Sequence, residues 1–220
     1  MSYAQAAKPK LHRMKNLLGF PIVVAAILWF IMFSPWTAPR LNFWWAMLFS
    51  ASVLLIMSAV FGRDWRPQFR LSARAVVIGL VSAAVLWGVF YLGHMLSTML
   101  FSFAQPQVGA IYGLRDGNSH VWIALLLLFI VGPAETIFWQ GFVQRTLMQR
   151  WGSLSGFVGT VLIYSLVHLW SFNLMLLMAA AICGAFWGGM YALLKPRTLW
   201  PLLISHAVWD VMVFIVFPIG

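Results

Sequence analysis

What this sequence has least of is charge. Only 8% of its 220 residues are charged and four carry a carboxylate, whereas 63% are hydrophobic. An average soluble domain has ~25% charged and roughly 45–50% apolar residues, so a water-facing surface cannot be assembled from this composition and a soluble domain is excluded. Cysteine is nearly absent. Cys183 is the only one, which rules out an intramolecular disulfide, and its place inside an apolar run argues against thiol chemistry. Internal repeats, low-complexity linkers and a His-Glu-x-x-His zinc motif are missing as well. The first apolar run follows Lys8, Lys10, Arg13 and Lys15 and superficially resembles a signal peptide. It is long for one, and Ser34-Pro35-Trp36 is a poor cleavage site, so it reads as a retained helix.

What is present is a series of apolar runs near the ~20 residues that cross a bilayer, at about 17–36, 42–61, 75–99, 120–144, 154–170, 173–194 and 199–217. They predict an all-α, polytopic transmembrane helix bundle of about seven spans. Residues 1–118 form an N-terminal three-helix region and 119–220 the bundle that carries the chemistry, within one integrated membrane domain. The connections are short except for 102–118. The formal charge of +10 is explained by placement. Four basic residues precede the first span; Arg63, Arg66, Arg70 and Arg74 follow the second, Arg145 and Arg150 the fourth, Lys195 and Arg197 the sixth, with only Arg40 and Arg115 elsewhere. Alternation of this kind places the N-terminus in the cytoplasm and the C-terminus outside. Anionic lipid headgroups satisfy such loops, so the partner is the bilayer of a cell membrane and not nucleic acid. Trp36, Trp44, Trp45, Trp170 and Trp200 sit near span ends as interfacial anchors, and Gly184 with Gly188 allows close helix packing.

Ionisable groups at membrane depth are costly and face a cavity or one another, so function is sought among them. Asp64 and Asp116 fall in loops; Glu135, the sole glutamate, and Asp210 fall in spans. His12 and His120 flank spans, and His94 on the third span reads as a satisfied structural histidine or a helix-contact residue. His168 and His206 remain. His206 and Asp210 are spaced i,i+4 and share a helix face. If the fourth helix runs on to a turn at Trp151-Gly152, Glu135 and His168 come level inside the membrane. Taken singly, each group could equally be a helix-to-helix hydrogen bond.

Together these residues resemble the CPBP intramembrane proteases, the group containing prenyl-protein (CAAX) endopeptidases and bacteriocin-immunity-type membrane proteins. The resemblance covers roughly 120–215 and rests on three ordered motifs: Glu135 to Gly141, Tyr164 to His168, and His206 to Asp210. The family pattern is Glu-Glu-x-x-Phe-Arg-Gly, aromatic-x-x-x-His and His-x-x-x-Asn. Thr136 stands where the second glutamate would be, Gln140 where arginine would be, and Asp210 in place of asparagine. Thr136 and Gln140, one turn apart, look like a neutral replacement of a charged pair.

The resemblance implies an endopeptidase for membrane-anchored proteins or peptides, with no cofactor and no metal. Glu135 would take a proton from water, His168 would position it and the water, and His206 with Asp210 would form the oxyanion site, Asp210 orienting His206. One glutamate and two histidines are also conceivable zinc ligands, a reading that the missing helix motif disfavours. Two other functions stay open: a catalytically impaired relative that binds a membrane peptide or partner in immunity or regulation, and a proton-coupled carrier using Glu135 and Asp210. Substrate identity and oligomeric state are not legible in the sequence.

Overall fold

The computed structural model describes residues 18–62, 64–194 and 198–219, the Arg66 side chain excepted. Lys8, Lys10, His12, Arg13, Lys15, Arg63, Lys195 and Arg197, on which part of the orientation argument rests, lie outside the described residues. No strand occurs among the described residues. The helices are α1 (Gly19–Phe33), α2 (Phe43–Phe61), α3 (Ala73–Leu100), α4 (Ala104–Gly113), α5 (His120–Trp151), α6 (Ser153–Leu166), α7 (Leu174–Leu193) and α8 (Trp200–Val216). Seven coincide with the apolar runs. The eighth, α4, occupies the 102–118 connection and was not expected.

Helix starts follow from the residue just before each apolar run. Asn42, Ser72, Ser119 and Asn173 each accept backbone N–H groups of the first turn, satisfying donors that a helix leaves open. The α5–α6 hairpin turns at Gly152, whose φ of 87° suits glycine. Within α5, Pro133 lacks a donor and would crowd the preceding turn; the winding ahead of it is widened over Leu127–Val131, and Gly132 N–H reaches back to Leu127 O. A second widened stretch covers Ile137–Gln144.

Five helical stretches are long and apolar enough to span a membrane, while Gly19–Phe33 and Trp200–Val216 are shorter. At 1.5 Å per residue the latter reaches ~26 Å against a hydrocarbon core of ~30 Å. It is nonetheless interior, because Ser205, His206, Ala207, Trp209 and Asp210 are all buried. The outward surface is apolar, as at Phe49, Ile56, Val77 and Met99, all more than half exposed. Polar side chains such as Glu135, Thr136, Gln140 and Asp210 are inside. That inverts the soluble pattern and makes this a multi-pass membrane protein.

Long helices consecutive in the chain run in opposite directions, and each end of the bundle is tied by its own set of hydrogen bonds. At one, Trp44 Nε1 donates to Leu114 O at 2.8 Å, Asn173 Nδ2 to Gln107 O at 2.8 Å, and Tyr112 Oη to Val213 O at 2.9 Å. At the other, segment Arg66–Phe69 is folded into the bundle: Gln68 Oε1 accepts from Tyr191 Oη at 2.8 Å and Gln68 O from Leu199 N at 2.7 Å. Helix α3 runs parallel to α8. A Cβ on Gly79 would lie 2.7 Å from Ile204 Cβ, and further along Phe90 packs on Trp209 with ring centroids 4.7 Å apart.

Two packing expectations meet different outcomes. Gly184 and Gly188 do admit neighbours: a Cβ would lie 3.0 Å from Tyr164 Cδ1 at the first and 3.2 Å from Phe157 at the second. Of the expected tryptophan anchors, Trp36, Trp45 and Trp170 are exposed, but Trp44 is only 1% exposed. Its indole N–H is used on Leu114 O, so Trp44 is a structural tie between chain segments and not an interfacial anchor.

Candidate active site

Glu135 rides on the regular turn Gly132–Thr136 between the two widened stretches of α5. Gly132 brings that turn against α8, since a Cβ there would lie 3.0 Å from both Ala207 Cα and N. The carboxylate is buried and its Oε2 accepts from Tyr164 Oη at 3.3 Å. The hairpin thus turns where expected, but the residue meeting Glu135 is Tyr164, one turn nearer the hairpin than His168. Wide winding over Ile137–Gln144 spends more residues per unit of height, so α5 climbs less between its end and Glu135 than α6 does between its start and His168.

His168 lies past the end of α6, where the chain tightens into Leu169–Ser171. Its Nε2 accepts from Trp29 Nε1 at 3.0 Å, and its Nδ1 is 2.8 Å from Tyr164 O. An indole N–H can only donate, so Nε2 is unprotonated and Nδ1–H donates to the carbonyl. His168 is a neutral imidazole with both nitrogens engaged. It holds the Tyr164 backbone carbonyl and packs against the Tyr164 ring at 5.1 Å between centroids.

His206 is fixed from three sides. Nδ1 lies 3.0 Å from Thr136 Oγ1, Nε2 lies 3.7 Å from Asp210 Oδ2, and the ring stacks on Trp187 at 3.7 Å and 24°. The i,i+4 geometry brings His206 and Asp210 together, at a separation beyond a hydrogen bond. The Thr136 hydroxyl lies against His206 Nδ1, and the widened winding begins at Ile137, between Thr136 and Gln140.

These groups face an apolar cavity of about 240 Å³. Glu135, Tyr164, His168, His206 and Asp210 all line it, with Trp29 and Phe33 of α1, Phe43 and Trp44 of α2, Phe90 and His94 of α3, Tyr112 of α4 and Trp187 of α7. His94 is not the satisfied histidine expected: its Nδ1 is buried with no hydrogen-bond partner among the described residues. Trp29 and Trp187 were not foreseen as site residues. The available signal was a tryptophan in the middle of an apolar span, where the indole N–H needs a buried partner. Among the described residues no three His, Cys, Asp or Glu side chains converge as a ligand set.

The described residues thus form a helical bundle in which a carboxylate, a tyrosine and two histidines line one apolar cavity. Residues 117–212 match the family model described as type II CAAX prenyl endopeptidase, Rce1-like, so this segment of the chain is similar to the CAAX-type membrane proteases. Every site residue from Glu135 to Asp210 lies within the matched segment. No curated protein and no solved structure matches the chain.

Proposed function

We propose that the protein is an intramembrane endopeptidase in which Glu135 activates the attacking water. The observation that carries this reading is the placement of the carboxylate: buried, held on one oxygen by Tyr164 Oη, and open to the cavity. A water bound there loses a proton to Glu135 as its oxygen adds to the scissile carbonyl carbon. The oxyanion develops toward His206, whose ring is fixed by Thr136 and Trp187 before the substrate arrives. Collapse breaks the C–N bond, and Glu135 returns the proton to the leaving amine. His168 positions Tyr164 and does not touch the reacting atoms.

The CAAX-type relationship favours a membrane-anchored substrate.

Engagement of both His168 nitrogens favours a second reading, a relative that binds a membrane peptide without cutting it. Proteoliposome cleavage of membrane-anchored peptides by wild type and Glu135→Gln separates the two. The expected loss for the variant is roughly 10²–10⁴-fold, with unchanged thermal stability. Full retention of cleavage by Glu135→Gln would remove the glutamate mechanism, and binding of peptides that wild type never cuts would establish the second reading.

A further inference from the structure

A second pocket, of about 390 Å³, opens at the end of the bundle where the Arg66–Phe69 segment is folded in. One wall is the end of α5. Winding is regular again over Arg145–Trp151, so Arg145, Met148 and Gln149, spaced i, i+3 and i+4, share a helix face, and all three line the pocket. The other wall is Pro67, Gln68 and Arg70. Gln68 and Tyr191 of α7 are the most buried of the lining residues, 2% and 1% exposed, and are bonded to each other. The backbone of this wall is fixed as well. Thr198 Oγ1 donates to Gln68 O and Arg70 O, both at 3.0 Å, and Arg145 Nη1 is oriented by donating to Asp64 O at 3.1 Å. The pocket is therefore built in advance of any ligand.

Its chemistry is that of an anion site. Two guanidinium groups and two amides line it, and no carboxylate does. Guanidinium forks match the paired oxygens of a phosphate, and basic pockets between spanning helices suit lipid headgroups. The volume falls within the roughly 300–1,000 Å³ of small-molecule sites, which is room for a headgroup and not only for a bare ion. Position selects the source of the phosphate. The pocket sits where α5 and α7 end, at Trp151 and Leu193, the level at which hydrocarbon gives way to headgroups. Phe69 and Leu71, on either side of Arg70, are 38% and 58% exposed, and Leu193, two residues beyond Tyr191, is 81% exposed. Apolar side chains bared beside an anion site fit a ligand whose charged end continues into acyl chains.

We propose that this pocket binds the phosphate group of an anionic membrane lipid, with Arg70, Arg145 and Gln149 donating to its oxygens and the acyl chains leaving past Phe69 and Leu71. Such a site differs from the diffuse attraction of basic loops to a charged surface. Two arginines define it, while Arg150, exposed on the same end of α5, lies outside the pocket. The inference is independent of the protease reading, because the pocket shares no lining residue with the cavity at Glu135. Arg145 directly follows the widened stretch Ile137–Gln144 that separates it from the Glu135 turn, so a bound lipid braces the helix on which Glu135 sits.

The test titrates the full-length chain, in a neutral detergent, with phosphatidylglycerol and follows its melting temperature. Lipid at about a hundredfold over its dissociation constant should raise the midpoint by roughly 5–10 °C for a chain of this size. Arg70→Gln and Arg145→Gln should each shift the titration to higher lipid by on the order of tenfold, the scale of a charge-assisted hydrogen bond. Arg150→Gln should leave it within about fivefold, the share of one basic residue in diffuse attraction. Phosphatidylcholine, in which a cation offsets the phosphate, and sodium phosphate should give no comparable shift. Equal effects of all three substitutions, or no shift with phosphatidylglycerol at all, would overturn the pocket. An equal shift with phosphatidylcholine would remove the preference for an anionic lipid, and a full shift with sodium phosphate alone would make this a site for a soluble anion. Should Arg145→Gln fail to fold for want of its bond to Asp64 O, Arg70→Gln at its exposed position decides alone, and a titration there unchanged from wild type overturns the proposal.

Discussion

Thr136 ties His206 Nδ1 at 3.0 Å in a fully buried setting, so the position next to Glu135 orients the neighbouring histidine by a neutral hydroxyl. Removing it with Thr136→Val keeps the shape and leaves a buried ring nitrogen unpaired, at a cost of ~1–3 kcal/mol. Cleavage should fall along with the thermal midpoint, and activity unchanged in the proteoliposome assay would show that His206 needs no such anchor. Trp29→Phe tests the other histidine. It takes the donor from His168 Nε2 and frees the ring to change tautomer and release Tyr164 O. A ring displaced by ~1 Å can cost on the order of 10²-fold in rate. The ring ¹⁵N shifts of His168 would report the tautomer directly; a signal that does not move would rule out this role for Trp29. The sequence shows Glu135, both histidines and Asp210 through their rarity at membrane depth. It cannot show Trp29, because an indole in an apolar span looks like any other large hydrophobe until its partner is known. Nor can it show which neighbour a threonine chooses.

Among the helices, placement was legible and winding was not. Runs of apolar residues and their capping Asn and Ser residues mark seven helices to within a few positions, because the bilayer demands uninterrupted apolar length. The widened turns of α5 leave no compositional mark beyond Pro133, yet they decide that Tyr164 and not His168 meets Glu135. Helix α4, only ten residues long, is too short for a span-based reading. Close glycine contacts hold these elements in register and give a graded prediction. A Cβ on Gly156 would collide with the Met148 backbone, and one on Gly132 would lie 3.0 Å from Ala207 backbone, whereas Gly88 meets nothing within 4 Å. Gly156→Ala and Gly132→Val should therefore destabilise by ~1–3 kcal/mol, the usual scale of overpacking. Gly88→Ala should stabilise by up to ~1 kcal/mol through helix propensity. Melting curves in detergent check the order, and a Gly132→Val protein as stable as wild type would mean that α5 and α8 need not approach so closely. Because Gly132 sets the distance between the Glu135 turn and His206, that variant should also lose cleavage out of proportion to its melting temperature.

At the scale of the molecule, the roof that α4 forms over the cavity is tied to the helix that carries His206 and Asp210. Tyr112 Oη donates to Val213 O and accepts from Ile219 N, both at 2.9 Å, and Arg115 Nη1 donates to Phe214 O at 2.6 Å. The same connection is held to α2 by Trp44 and to α7 by Gln107. Chain segments from both halves of the sequence thus close one cavity, to which the motif-free first half contributes lining residues from Trp29 to Leu114. Tyr112→Phe keeps the ring and removes both of its bonds. At ~1 kcal/mol for each net hydrogen bond the loss is ~2 kcal/mol, or a fall of several degrees in melting temperature for a chain of this size. In catalysis the effect should divide unevenly. The roof borders the cavity and does not contact Glu135 in the hydrogen-bond network, so KM for a membrane-anchored peptide should change while kcat holds. Steady-state cleavage in proteoliposomes measures both, and a fall in kcat with KM constant would place the roof in the chemical step, through α8 and the setting of His206, instead of in substrate binding.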